Sequence, residues 1–119
     1  MKIAVLGDGG WGTALSILLN NKGFNVWLWG AFEEDIDDIK KRRENKKFLP
    51  GFKIPKTIQL THEIDPACQG ADIIVLAIPS RFFRTVITKN KTALVESKSS
   101  FVSVTKGLEE KTLKRMSEV

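Results

Sequence analysis

Apolar residues fall along this chain in two alternating rhythms. Short apolar runs at residues 3–6, 25–29, 72–78 and 101–104 read as strands, the first of them fully buried, the second rich in residues that favour sheets and the third the most apolar. Between the first two, Trp11, Ala14, Leu15, Leu18 and Leu19 recur at helical spacing, and Gly23 closes the helix predicted over 11–22. Residues 33–44 predict a polar helix with Ile36 and Ile39 as its inner contacts. Its acidic residues precede its basic ones, which suits the helix dipole. Residues 45–55 read as irregular, with Pro50-Gly51 as the clearest turn signal. Residues 57–60 predict a short third strand, and 63–69 a brief helix ending at Gly70. Pro79 ends the strand at 72–78, and a helix follows from Arg81 to Ile87 or Lys91. The chain reads as helical again from Glu109 onward.

Strands alternating with helices predict an α/β fold, a Rossmann-like doubly wound parallel sheet with helices on both faces. A six-strand sheet of that kind needs one more strand after the closing helix. The expectation is therefore an incomplete N-terminal dinucleotide-binding domain over residues 1–119, cut before its last strand, from a longer enzyme. Composition is ordinary for a soluble globular protein, with 42% hydrophobic and 28% charged residues in 119. No apolar run reaches the length of a membrane span. Met1 leads directly into a strand, so no signal peptide is expected, and the single cysteine, Cys68, suits a reducing cytoplasm as a small buried residue. The net charge of +5 raises nucleic-acid binding. The densest basic run, Lys40 to Arg43 with Lys46 and Lys47 beyond, follows an acidic stretch and reads instead as a solvated helix end; an anionic small molecule accounts for the charge equally well.

The chemistry concentrates at the exits of the strands. Gly7-Asp8-Gly9-Gly10-Trp11-Gly12 sets three glycines at Gly-x-Gly-x-x-Gly spacing between a strand and a helix, the context that marks a dinucleotide-binding turn. Gly7 makes the tight turn, Gly9 lets a pyrophosphate approach the backbone, and Gly12 lets the helix lie close to the sheet. The helix start offers unpaired N–H groups to phosphate. After the second strand come Gly30, Ala31 and Phe32, without the acid that commonly holds the ribose; carboxylates arrive only at Glu33 and Glu34. Phe32 either covers the adenine or anchors the next helix. Ala77-Ile78-Pro79-Ser80, with Phe82 beyond, and Thr105-Lys106-Gly107 lie at the same predicted ligand edge, where Lys106 is placed to hold an anionic substrate. His62, the one histidine, reads as a surface residue, and there is no metal-ligand cluster or Ser/His/Asp set.

These pieces together resemble the bacterial NAD(P)-dependent glycerol-3-phosphate dehydrogenases. The resemblance rests on GDGGWGTALS, LWGAFEEDI, ENKKFLPG, and IPS followed by SVTKGLE, in order over nearly the whole chain. It implies an enzyme interconverting dihydroxyacetone phosphate and sn-glycerol 3-phosphate by hydride transfer, cytoplasmic, supplying phospholipid synthesis, and forming a homodimer at full length. It also implies NAD or NADP as cofactor; the residues themselves give no reason to expect a metal, a nucleic-acid partner or membrane insertion. By the same resemblance Gly7, Gly9, Gly10, Trp11 and Gly12 fall on the pyrophosphate turn, and Ala31 and Phe32 at the adenosine end. Phe48 and Phe82 fall on further cofactor contacts, and Lys106 on the lysine touching cofactor and substrate. The family's catalytic lysine lies beyond Val119, so the 119 residues alone are expected to be inactive. Two departures stand out. Gly10 replaces a frequent serine, and Ala31 replaces a frequent arginine or histidine, which leans the cofactor preference toward NAD. The alternatives are another two-domain dehydrogenase, of the 6-phosphogluconate or hydroxyacid type, and a nucleotide-sensing binding module.

Overall fold

A computed structural model of the chain describes residues 1–47, 49–78, 80–90 and 99–103. In chain order the elements are β1 (Lys2–Leu6), α1 (Gly10–Asn21), β2 (Asn25–Trp29), α2 (Glu33–Arg42), β3 (Glu44–Asn45), β4 (Leu49–Lys53), β5 (Gln59–Thr61), α3 (Ile64–Cys68), β6 (Ile73–Leu76), α4 (Ser80–Lys89) and β7 (Ser100–Ser103). Five strands form one sheet in the order β5-β2-β1-β6-β7, and every pairing is parallel. The chain starts at the centre, winds outward through β2 to β5, then crosses back to β6 and β7. That reversal makes β1 and β6 the switch point of a Rossmann-like, doubly wound sheet.

Alternation along β1 divides the core. Ala4 and Leu6 pack on one face with Trp29, Ile74 and Leu76 and with Ile64, Ala67 and Cys68 of α3, joined by Val86 and Ile87 of α4. Ile3 and Val5 pack on the other with Val26, Leu28 and Leu60, and with Ile36 and Ile39 of α2 and Leu15 and Leu19 of α1. Helices cover both faces of the central strands, which is why β1 from Ile3 onward and β6 are apolar without interruption. The edge strand β7, expected as an apolar run, is instead exposed along its length.

Three sequence expectations change. Residues 45–55 are not irregular throughout: β3 and β4 pair as a two-stranded antiparallel ribbon with a register shift, and Gly51 takes a left-handed φ of 88° inside β4. The face of α1 turned to the sheet is made of the small residues Gly12, Thr13 and Ser16, while Trp11 and Leu18 of the predicted apolar stripe are exposed. Where α1 runs closest to backbone only these small residues fit, while Leu15 and Leu19 reach the core from its flank. Arg43 is not a solvated charge either. It caps α2 in the left-handed conformation, and its guanidinium donates to the carbonyls of Pro55 at 2.8 Å and Ile58 at 3.0 Å. The rest of the run does end a helix as expected: Lys40, Lys41 and Arg42 close α2 opposite Glu33, Glu34 and Asp35 in its first turn. The helix expected from Glu109 lies outside the described residues.

Candidate functional site

The strand register lines up one edge. Leu6 is level with Trp29 on one side and with Leu76 on the other, so the three chain exits beyond them lie side by side. The ladder continues one step further, with Gly7 N–H donating to Trp29 O, Ala77 N–H to Leu6 O and Gly30 N–H to Thr61 O. This carboxyl edge is where open parallel sheets hold ligands.

Each motif glycine has a different physical reason. Gly7 sits at φ 126°, and a Cβ there would run into the carbonyl oxygen of Ala77. At Gly12 a Cβ would run into the carbonyl oxygen of Gly7, so this glycine lets α1 close onto its own turn. Gly9 has an ordinary φ of −70° and nothing within 4 Å of where a Cβ would be. Neither backbone strain nor packing therefore requires glycine at position 9, and the space above it is open to a ligand. Gly9 is the N-cap of α1, with no side chain satisfying the helix start. The first helical bond runs from Thr13 N–H to Gly9 O at 3.0 Å, which leaves the N–H groups of Gly10, Trp11 and Gly12 ahead of the ladder. A cradle of this kind fits the pyrophosphate of a dinucleotide.

A clamp that sequence motifs do not reveal holds the turn. Asn45 of β3, buried to 3% exposure, donates from Nδ2 to Asp8 O at 2.6 Å and to Thr13 Oγ1 at 2.9 Å, and Thr13 Oγ1 lies 3.3 Å from Asp8 O. The loop after α2 thereby fixes the carbonyl between the first two motif glycines. Asn45 lies in the ENKKFLPG segment, as a neutral amide among the charges of Glu44 to Lys47, but nothing local marks it as buried. The Asp8 carboxyl is the second feature of this kind. It lies where a side chain on Gly30 would begin, and burial raises its pKa above the ordinary value; Asp35 adds to the rise, while its own backbone N–H and Lys47 oppose it.

The remaining predicted residues spread along the same edge and beyond it. Trp11 is 60% exposed and Phe32 68%, so Phe32 is not the core anchor its second reading allowed. Ala31 is exposed beside it, and Phe82 is half exposed on α4. Gly10 opens α1. Phe48, Pro79, Lys106 and Gly107 lie outside the described residues. His62 is half-buried: its carbonyl accepts from the Trp29 indole N–H at 3.0 Å, and its Nε2 lies 4.0 Å from Glu33. Cys68 is buried, and burial pushes its thiol up to about 11, away from nucleophilic chemistry. Arg42 pairs with Asp38, and Lys40, Lys41, Arg43 and Lys56 line an open depression beside β5 that shares no residue with the glycine turn. Among the described residues no His, Cys, Asp or Glu cluster could hold a metal, and no helix is long and apolar enough to cross a membrane.

A parallel sheet in this order, with a glycine turn at its switch point, defines a Rossmann-type α/β domain. Residues 2–119 match the family model described as NAD-dependent glycerol-3-phosphate dehydrogenase N-terminus, and the chain belongs to that family. It is 44% identical over 118 residues to glycerol-3-phosphate dehydrogenase [NAD(P)+] from Syntrophomonas wolfei, covering 99% of this chain and 34% of that protein. The enzyme of the same name from Fusobacterium nucleatum is 40% identical over 119 residues, covering 100% and 35%. The crystal structure of glycerol-3-phosphate dehydrogenase from Coxiella burnetii superposes with a TM-score of 0.89 at 32% identity, over 98% of this chain and 35% of that one. The chain thus spans about a third of the length of these relatives.

Proposed function

We propose that the protein carrying this chain is an NAD(P)-dependent glycerol-3-phosphate dehydrogenase, with residues 1–119 forming part of its cofactor-binding domain. The observation that carries the reading is the division of labour within the glycine motif. Gly7 and Gly12 are required by the backbone, whereas neither strain nor packing requires Gly9, which faces open space. A bound dinucleotide supplies the missing reason. The N–H groups that open α1 bind the pyrophosphate, and Ala31 and Phe32 take the adenosine end. Phe48 and Phe82 complete the cofactor contacts, and Lys106 touches cofactor and substrate. The nicotinamide supplies or accepts the hydride at the second carbon of the substrate. The general acid/base is the family's lysine, placed beyond Val119 in a helical C-terminal domain. The natural setting is the cytoplasm, with a homodimer feeding phospholipid synthesis.

The test is turnover by the full-length protein. Oxidation of NADH or NADPH that depends on dihydroxyacetone phosphate is expected, with none in the 119-residue piece. Turnover of a 2-hydroxyacid or of 6-phosphogluconate in its place would overturn the substrate assignment. We also infer a preference for NAD, supported by the uncharged Ala31. Ala31→Arg is expected to improve NADPH binding relative to NADH by giving the 2′-phosphate a charge-assisted partner, and an unaltered affinity ratio would contradict that role.

A further inference from the structure

Dinucleotide domains of this architecture commonly read the adenosine ribose with an acidic side chain at the end of the second strand. Here that position is Gly30, the residue directly after β2, and it carries no side chain at all. The space is nevertheless filled. A Cβ built on Gly30 would collide with Oδ2 of Asp8 and come within 2.9 Å of Ile36 Cδ1. A carboxylate from the first variable position of the glycine turn, one strand away, thus occupies the space where a side chain at the end of β2 would begin. Glycine at position 30 is then the complement of aspartate at position 8.

We propose that Asp8 is the residue that selects the cofactor, its carboxylate accepting hydrogen bonds from a free ribose 2′-hydroxyl and repelling a 2′-phosphate. This rests on the proposed dinucleotide function and deepens it. The Asn45 and Thr13 bonds end on the Asp8 main-chain carbonyl, so they fix the residue's backbone without neutralising its side chain. Among the described residues, the charges that act on the carboxylate are Asp35 of α2, which repels it, and Lys47, which lies 3.9 Å from Asp35 and offsets that repulsion. A 2′-phosphate would bring a further dianion into this half-buried acidic corner, and neighbouring Ala31 offers no cation. A pair of hydroxyls, by contrast, supplies donors to a carboxylate that has lost part of its water.

The experiment is fluorescence titration of the full-length protein with NADH and with NADPH, comparing wild type, Asp8→Asn and Asp8→Ala. Wild type is expected to bind NADH at least about ten-fold more tightly, and both variants to reduce that ratio by about ten-fold, with NADPH affinity rising. Asp8→Asn keeps the shape of the side chain, so it reads the charge even where Asp8→Ala fails to fold. A wild-type protein that binds both cofactors equally, or variants that retain the wild-type ratio, would overturn the proposal while leaving the dinucleotide site intact. A folded wild type that binds neither cofactor would overturn the functional reading beneath it.

Discussion

At the amino end of the sheet, polar groups are tied to one another. Lys2 Nζ donates to the carbonyls of Pro66 and Gln69 and lies 4.4 Å from the Trp27 ring centroid, and the Lys2 N–H donates to Asp72 Oδ2. Asp72 N–H returns to Lys2 O, and Ser100 N–H to Asp72 O. At the carboxyl end the turns themselves are fixed, but the groups they present are left open. The α1 N-terminus has no side-chain cap, Gly9 faces empty space, and Trp11, Phe32 and Phe82 stand exposed. Both ends belong to the same strands and differ only in the segments attached to them. One end is closed by the chain's own polar groups, and the other presents the N-terminus of α1 and exposed aromatic side chains, as the proposed cofactor site requires.

That contrast breaks most sharply within the glycine motif. Gly12→Ala, whose Cβ meets a backbone carbonyl, is expected to cost roughly 3 kcal/mol or more in urea denaturation. Gly9→Val, three residues away, is expected to leave the fold intact. Equal destabilisation by the two would show that Gly9 serves the fold and remove the argument for a ligand.

The clamp comes next in size. Asn45→Ala removes two hydrogen bonds from a buried site and should cost about 2 kcal/mol while weakening NADH binding, because the turn it holds is the cradle. At the other end, Lys2→Met should cost about 1 kcal/mol and leave NADH affinity unchanged. A change in affinity from Lys2→Met would mean that the two ends are not independent.

The smallest effect is a titration. Burial raises the Asp8 pKa in the folded protein above its ordinary 3.8, so the folded state holds that proton more tightly than the unfolded one. Stability contributed by this group is then lost as pH rises from the ordinary value through the raised one, and stays lost above it. Asp8→Asn should flatten that part of the pH–stability profile and raise Tm at neutral pH. A Tm that falls at neutral pH would show the carboxylate to be favourably held in the fold itself.

The scaffold is legible in the sequence because its signals are local. β2 occupies residues 25–29 as its aromatic and β-branched run implies, and β1, α1, α2, β6 and α4 lie within a few residues of their expected bounds. The features that escape depend on contacts distant in sequence. The β3–β4 ribbon carries Pro50-Gly51 inside a strand and shows no apolar alternation, because most of β4 is exposed. Asn45, at the start of the segment expected to be irregular, owes its burial to a hydrogen-bond acceptor 37 positions away. Asp8 reads as a spacer between glycines until β2 is laid beside β1 and Gly30 leaves room for it. Trp11 fits the helix's apolar stripe by spacing alone, whereas close packing on the turn points it outward.

Whether the carboxyl edge is open because a dinucleotide fills it is decided most directly by calorimetric titration of the full-length protein with NADH, in wild type and in Gly9→Val. Saturable binding by wild type is expected, with at least a ten-fold loss in a Gly9→Val protein that melts at the wild-type temperature. Equal affinity in the two folded proteins would place the cofactor elsewhere and contradict the role given to the glycine turn.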